Sequence, residues 1–321
     1  MSGGRTTGRR WRDNPVHAGR CLVIIFNPTW DQAVVAAAGV AAVSAGLMCR
    51  GQVVAGSGGQ TAPTKARRLI SAGRFTRETA LVLALFALWQ FAGTHSVMGP
   101  GGALDRARWL WHIERVMHWP SEAWLQHLML PYPYLVQAFN IYYDILHFPV
   151  LIACLIWLFV WHREWYGSFR ITLVAFTGIC LVIQFVPVAP PRLLSGIGMV
   201  DTAARYGQSV YSSTAAFQAD ELSAMPSVHV GWAILVAVAV ITVARSRWRW
   251  LVLLYPVLTS IAVVVTANHF WLDGVVAGVI LAVVLAAQAC ARRLLATRTA
   301  GSVPQESVSQ PDDVVSRSAR G

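Results

Sequence analysis

Two short polar clusters stand at the mouths of long apolar runs: Ala224-Met225-Pro226-Ser227-Val228-His229 and, about forty residues on, Asn268-His269-Phe270-Trp271-Leu272-Asp273. His269 and Asp273 are spaced i to i+4. On a helix that spacing lets the carboxylate hydrogen-bond one imidazole nitrogen and leaves the other free to attack phosphorus. Pro226 suits the first turn of a helix, where its missing N–H costs nothing and the backbone donors after it point at any bound anion. His229 then falls in that first turn. The pair reads as phosphate-handling chemistry at a membrane surface.

Composition says what must carry these residues. The chain has 321 residues, 55% hydrophobic and 13% charged, with a mean hydropathy of +0.50. No ordinary soluble domain approaches that balance, so the expectation is an integral membrane protein. The net charge is +11 and Lys65 is the single lysine. The arginines fall at the ends of apolar segments and form no stripe, which argues against a nucleic-acid partner. Arginine in place of lysine, with abundant Ala, Gly and Val, suggests a GC-rich genome and a bacterial inner membrane. Cys21, Cys49, Cys154, Cys180 and Cys290 are far apart without metal-ligand spacing and read as buried packing residues. No cofactor is expected.

Apolar runs of about twenty residues predict six membrane spans, roughly 79–97, 134–161, 169–188, 226–244, 249–267 and 270–291. A further candidate, 32–49, is rich in Ala and Gly. Lys65, Arg67, Arg68, Arg74 and Arg77 precede the first span, and Arg163 and Arg170 lie between the second and third. Arg245, Arg247 and Arg249 lie between the fourth and fifth, and Arg292, Arg293 and Arg298 follow the sixth. All of these fall on one side, so the positive-inside rule places both termini in the cytoplasm and both histidine clusters on the extracytoplasmic face. Residues 103–130 are amphipathic and Trp-rich and read as one or two outer interfacial helices, broken near Pro120. Three regions result: a basic, largely disordered 1–74, a membrane-embedded catalytic domain over 75–292, and a disordered polar tail over 293–321.

Pro226-Ser227-Val228-His229 followed by His269 and Asp273 resembles the second and third signature motifs of the type 2 phosphatidic acid phosphatase superfamily. Pro187-Val188-Ala189-Pro190-Pro191-Arg192 is similar to the first motif in the branch containing inositol phosphorylceramide synthases. The resemblance covers roughly residues 80–292. It implies an all-α membrane fold and a lipid-linked phosphate as substrate. It also implies His269 as a nucleophile forming phosphohistidine, Asp273 holding its tautomer, His229 protonating the departing alcohol, and catalysis without a metal. Arg192 and the Ser227 hydroxyl are the side-chain donors at hand for the equatorial oxygens. Ala262 and Val263 stand where the broad family pattern has a Ser-Arg pair, and Pro190-Pro191-Arg192 replaces its first-motif pattern. Both departures point toward the phosphotransferase branch and leave Arg192 as the phosphate clamp.

Inside the second span, Gln137, Asn140, Tyr143, Asp144 and His147 form one polar stripe at 100° per residue. Polar groups at that depth must face the bundle or a wet cavity. Two uses are open: binding an acceptor or headgroup through Asn140, Tyr143, Asp144 and His147, or interhelical hydrogen bonding. His112, His118, His127 and His162 read as surface residues, and Tyr206 and Tyr211 as cover over the site.

The sequence therefore predicts an all-α integral membrane protein, a six-helix bundle with an outer interfacial helix. Water as acceptor makes it a lipid phosphatase. An inositol or sugar acceptor makes it a headgroup phosphotransferase. The rival from another class is a non-catalytic lipid-phosphate binding or transport protein, which needs no activated nucleophile.

Overall fold

The computed structural model describes residues 29–57, 62–94, 101–208 and 220–301; Tyr211 and the two chain ends lie outside the described residues. Among the described residues the structure is helical, with a lone parallel bridge between Val188 and Ser223. The chain divides after Ala87 into two compact units.

The first unit contains α1 (Trp30–Gly56) and most of α2 (Ala62–Thr94). Small residues recur at seven-residue spacing on the buried side of each: Ala37, Ser44 and Gly51 on one, Ala66, Gly73, Ala80 and Ala87 on the other. Small side chains let backbones approach closely, as in membrane helix pairs. A β-carbon on Gly51 would come within 2.6 Å of Ile70, and one on Gly73 within 2.6 Å of Met48. The Ser44 hydroxyl donates to the Gly73 carbonyl at 2.7 Å. The expectation of a largely disordered 1–74 is thus corrected for residues 30–56 and 62–74, which are helical.

The second unit takes in the end of α2 and continues with α3 (Ala103–Val116) and α4 (Glu122–Met129), joined through Pro120. One long rod follows, α5 (Pro133–Ile141) and α6 (His147–Trp161), interrupted by a π-helical turn over Tyr142–Leu146. Then come α7 (Arg163–Gln184), the short α8 (Thr202–Arg205), α9 (Val228–Val243), α10 (Leu254–Val265) and α11 (Trp271–Gly301). Helices α6, α7, α9 and α11 share one apolar core that includes Leu151, Leu158, Phe176, Leu235 and Leu281. Gly231 lets the Phe176 ring lie directly on the α9 backbone, where any side chain would collide with it.

Large apolar side chains such as Ile156, Val160, Val182, Val257, Val279 and Val283 are exposed. That is the reverse of a soluble fold and fits a hydrocarbon solvent. Five helical stretches are long and apolar enough to cross a membrane: Trp30–Gly56, Pro133–Trp161, Arg163–Gln184, Arg247–Val265 and Trp271–Thr297. The chain is a multi-pass membrane protein. Two of the six expected spans are not among the five. The one at 79–97 is the apolar second half of α2, whose first half carries Lys65, Arg67, Arg68, Arg74 and Arg77. The one at 226–244 is α9, whose 16 residues extend about 24 Å at 1.5 Å each, less than the ~30 Å of a hydrocarbon core. The tail expected from 293 onward continues as helix to Gly301. Cys49 and Cys290 are exposed and not buried, whereas Cys154 and Cys180 are buried.

Candidate active site

The three polar clusters sit at three helix ends, and backbone hydrogen bonds lock them together. After α7, Val188 N–H donates to Leu222 O at 2.7 Å and Ala224 N–H donates back to Val188 O at 3.1 Å. Arg192 N–H donates to Ala267 O at 3.0 Å, and Ser227 N–H to Asp273 O at 3.1 Å. Each loop is therefore bonded to the other two. Buried amides must find partners, and these loops satisfy one another in place of regular structure.

Helix α10 ends in a left-handed residue, Ala267 at φ 57°, after which Asn268 and His269 N–H both bond to Val263 O. This closing turn presents His269 just before α11 begins. Val263 is 2% exposed and packs with Val230 and Val264 in a small apolar cluster. No guanidinium is available at that position.

At the start of α9, Ser227 is the N-cap, its Oγ accepting from Val230 N–H at 3.5 Å, so the helix begins at Val228. This corrects the placing of Pro226 in the first turn: it lies outside the helix, before the cap. His229 keeps its first-turn position. Ser227 is fully buried. A capping hydroxyl without exposure is poorly disposed to clamp a phosphate as well.

His269 is nearly closed off, its side chain 5% exposed. Nδ1 lies 2.6 Å from the Ala224 carbonyl and 3.4 Å from Asp273 Oδ2. A carbonyl only accepts, so Nδ1 carries the hydrogen and Nε2 keeps its lone pair. The expected His-carboxylate contact exists, but the backbone carbonyl is the closer partner. Asp273 Oδ2 also accepts from Phe270 N–H at 2.9 Å, and its Oδ1 is buried without a hydrogen-bond partner among the described residues. The half-buried His229 ring stands 5.9 Å from that of His269, centre to centre.

Comparison with known families now bears on this arrangement. The model describing the PAP2 superfamily matches residues 108–288. The chain belongs to the PAP2 superfamily. Its members are typically phosphatases and phosphotransferases. No curated protein and no solved structure shows significant similarity to the chain. The matched span takes in all three clusters of this PAP2 protein and the rod that packs beside them.

The expected polar stripe divides in two. Gln137 bonds back to its own helix at Pro133 O, 3.3 Å away. Asn140 is 1% exposed, donates to Gln208 at 2.8 Å and accepts from Thr202 at 2.8 Å, so it ties α5 to the residues around α8. Tyr143 and His147 instead reach the histidine pair. Tyr143 is 4.6 Å from the His229 ring and 6.3 Å from that of His269, and His147 is 4.7 Å from His229. Asp144 lies within electrostatic reach of Arg192.

Arg192 is held on several sides. Its guanidinium donates to Asn268 Oδ1 and, at 3.1 Å, to Glu221 Oε1, and Nε stands 3.7 Å from Asp201 Oδ2. It reaches the residue beside His269 with its charge already shared between two carboxylates. Among the described residues no group of three His, Cys, Asp or Glu side chains is placed to hold a metal. His112, His118 and His127 are exposed, and His162 is half-buried with its ring 4.7 Å from Trp157.

Sequence reasoning missed a second layer beneath α3 and α4. Fully buried Gln126 of α4 donates to Val200 O and Val265 O at 2.8 and 2.9 Å and accepts from Val200 N–H at 2.8 Å. Glu114 of α3, also fully buried, accepts from Leu272 N–H at 2.6 Å and so caps α11. Burial first, then the neighbouring Glu122 carboxylate, push Glu114 up to about 9. That shift favours the protonated acid at neutral pH, and Arg115 pairs with Glu122 at 3.0 Å. The only signal in the sequence was two glutamates on otherwise apolar helix faces.

Proposed function

We propose that this protein cleaves or transfers the phosphate group of a lipid-linked phosphoester, with His269 as nucleophile and His229 as general acid and base. The observation that carries the reading is the Ala224 carbonyl at 2.6 Å from His269 Nδ1, which leaves the Nε2 lone pair for phosphorus. Nε2 attacks, the ester P–O bond breaks, and a proton passes from His229 to the departing alkoxide. A hydroxyl then attacks the phosphohistidine, its proton goes to His229, and the P–N bond breaks to return both histidines to their starting states. Asp273 stabilises the positive charge that His269 gains on phosphorylation. Arg192, held beside His269 by Asn268 and Glu221, is the guanidinium assigned to the equatorial oxygens.

Water as acceptor makes the enzyme a lipid phosphatase. The burial of Val263 in an apolar cluster, where the broad pattern carries arginine, favours the second reading, transfer to an inositol or sugar hydroxyl. In both readings the site faces the extracytoplasmic side of a cell membrane. His269→Ala is expected to abolish turnover and the covalent intermediate together. Radiolabelled phosphate from a short-chain phosphatidate should be trapped on the native chain in an acid-labile, base-stable form. A label on any other residue, or full activity in His269→Ala, overturns the assignment.

A further inference from the structure

Beside the histidine pair is a third imidazole that the proposed mechanism does not use. His147 is 2% exposed, its Nδ1 is 3.3 Å from the Tyr255 hydroxyl, and its Nε2 is buried without a hydrogen-bond partner among the described residues. Its ring lies 4.7 Å from His229, closer than His229 lies to His269 at 5.9 Å. The π turn brings it there. In such a turn residues i and i+5 lie one above the other. Tyr142 and His147 accordingly meet edge to face at 5.4 Å, while Tyr142 bonds to Thr259 at 2.8 Å. Tyr143 in the same turn covers both other histidines.

We infer that His147 is a further catalytic residue, whose Nε2 holds the oxygen exchanged at phosphorus: the leaving alcohol in the first half-reaction and the incoming hydroxyl in the second. The inference rests on the phosphohistidine reading. In-line transfer places nucleophile and acid on opposite sides of phosphorus. The oxygen beside His229 is then the one that leaves and later arrives, and the equatorial oxygens lie toward Arg192. His147 stands against His229, on the exchange side. A buried ring nitrogen without a protein partner is costly to leave so, and a hydroxyl oxygen, which both donates and accepts, pairs with it in either tautomer.

Two substitutions separate this role from packing. The amide of Asn reproduces the Nδ1 position and keeps the Tyr255 contact, and the amide of Gln reproduces Nε2. The full chain in detergent is phosphorylated with short-chain phosphatidate, and rapid quenching follows formation and breakdown of the phosphoenzyme, with glycerol present as an alternative acceptor to water. His147→Asn is expected to slow breakdown roughly tenfold, the worth of about one hydrogen bond, and to change the ratio of phosphoglycerol to free phosphate. His147→Gln should stay close to native in both. Phosphoenzyme formation from 4-nitrophenyl phosphate, whose leaving group needs no proton, should be spared in both variants.

Equal losses in the Asn and Gln variants, or an unchanged product ratio in His147→Asn, overturn the inference and leave the phosphohistidine reading standing. If His147→Asn does not fold, Tyr255→Phe, which frees the ring, should show the same shift in product ratio at smaller amplitude; an unchanged ratio there overturns the inference as well. If native protein forms no phosphoenzyme on His269, the reading beneath it falls and the inference with it.

Discussion

His269 has two acceptors within reach of Nδ1, and the distances rank them. The Ala224 carbonyl at 2.6 Å makes a strong hydrogen bond, whereas Asp273 Oδ2 at 3.4 Å is also engaged by Phe270 N–H. The tautomer is therefore fixed by backbone that no substitution of Asp273 removes. Asp273→Asn keeps the tautomer and loses the negative charge facing the phosphorylated ring. Its single-turnover phosphorylation rate should fall on the order of 10², the scale of one lost electrostatic contact in a transition state. A fall on the order of 10⁴, as when a catalytic histidine adopts the wrong tautomer, would mean that the carboxylate and not the carbonyl sets the proton. The i to i+4 spacing made the pair legible in the sequence. The competing carbonyl was not legible, because Ala224 contributes a backbone atom that every residue type shares, across a loop contact 45 residues away.

At the scale of elements, α3 and α4 are fastened to α10 and α11, the helices on either side of His269. Glu114 caps α11 through Leu272 N–H, Trp271 Nε1 donates to Pro120 O at 3.0 Å, and Gln126 holds the carbonyl of Val265 at the end of α10. A protonated Glu114 carries a sign that can be worked out. Its folded value, about 9, lies above the ordinary 4.5, so between these the folded state binds the extra proton. Stability is greatest below 4.5, declines as pH rises and levels off near 9. Glu114→Gln keeps one acceptor for Leu272 N–H without the titration. Its thermal midpoint in detergent should be flatter across that range than the native protein's and higher at pH 8. Parallel slopes for the two proteins would show that Glu114 is already ionised in the fold. None of this fastening was readable from periodicity. Glu114 looks like a polar interruption of an amphipathic face, and the π turn is invisible to a reading at 100° per residue. Helix α1 was legible as the candidate at 32–49, but its pairing with α2 was not, because that signal is Ala, Gly and Ser at intervals of seven and not Leu or Ile.

At the scale of the whole molecule, the remaining choice is which way the bundle faces. Within the second unit the arginines of the α6–α7 and α9–α10 connections and of the C-terminal part of α11 gather at the end away from the histidines. Arg163 and Arg249 bond there to the carbonyls of Phe159 and Ala244, at helix ends where positive charge is favoured. At the histidine end, Arg106 is bonded to Pro187 O, and Arg115 and Arg192 to Glu122 and Glu221. Loops rich in arginine tend to stay in the cytoplasm, and by that rule the histidine end is predicted to lie outside. Two exposed tryptophans mark the ends. Trp124 lies on α4, which Gln126 ties to the last turn of α10, and Trp248 lies at the start of the Arg247–Val265 stretch. That stretch is seven residues of 3₁₀ helix and twelve of α-helix, which at about 2.0 and 1.5 Å each extend roughly 32 Å, close to the thickness of the hydrocarbon core. With Cys21, Cys49, Cys154, Cys180 and Cys290 replaced by serine or alanine, Trp124→Cys is expected to react with a membrane-impermeant maleimide on intact cells, and Trp248→Cys only after permeabilisation. The opposite pattern would turn the site to the cytoplasm, so that its phosphoester and its acceptor would both come from the inner leaflet side.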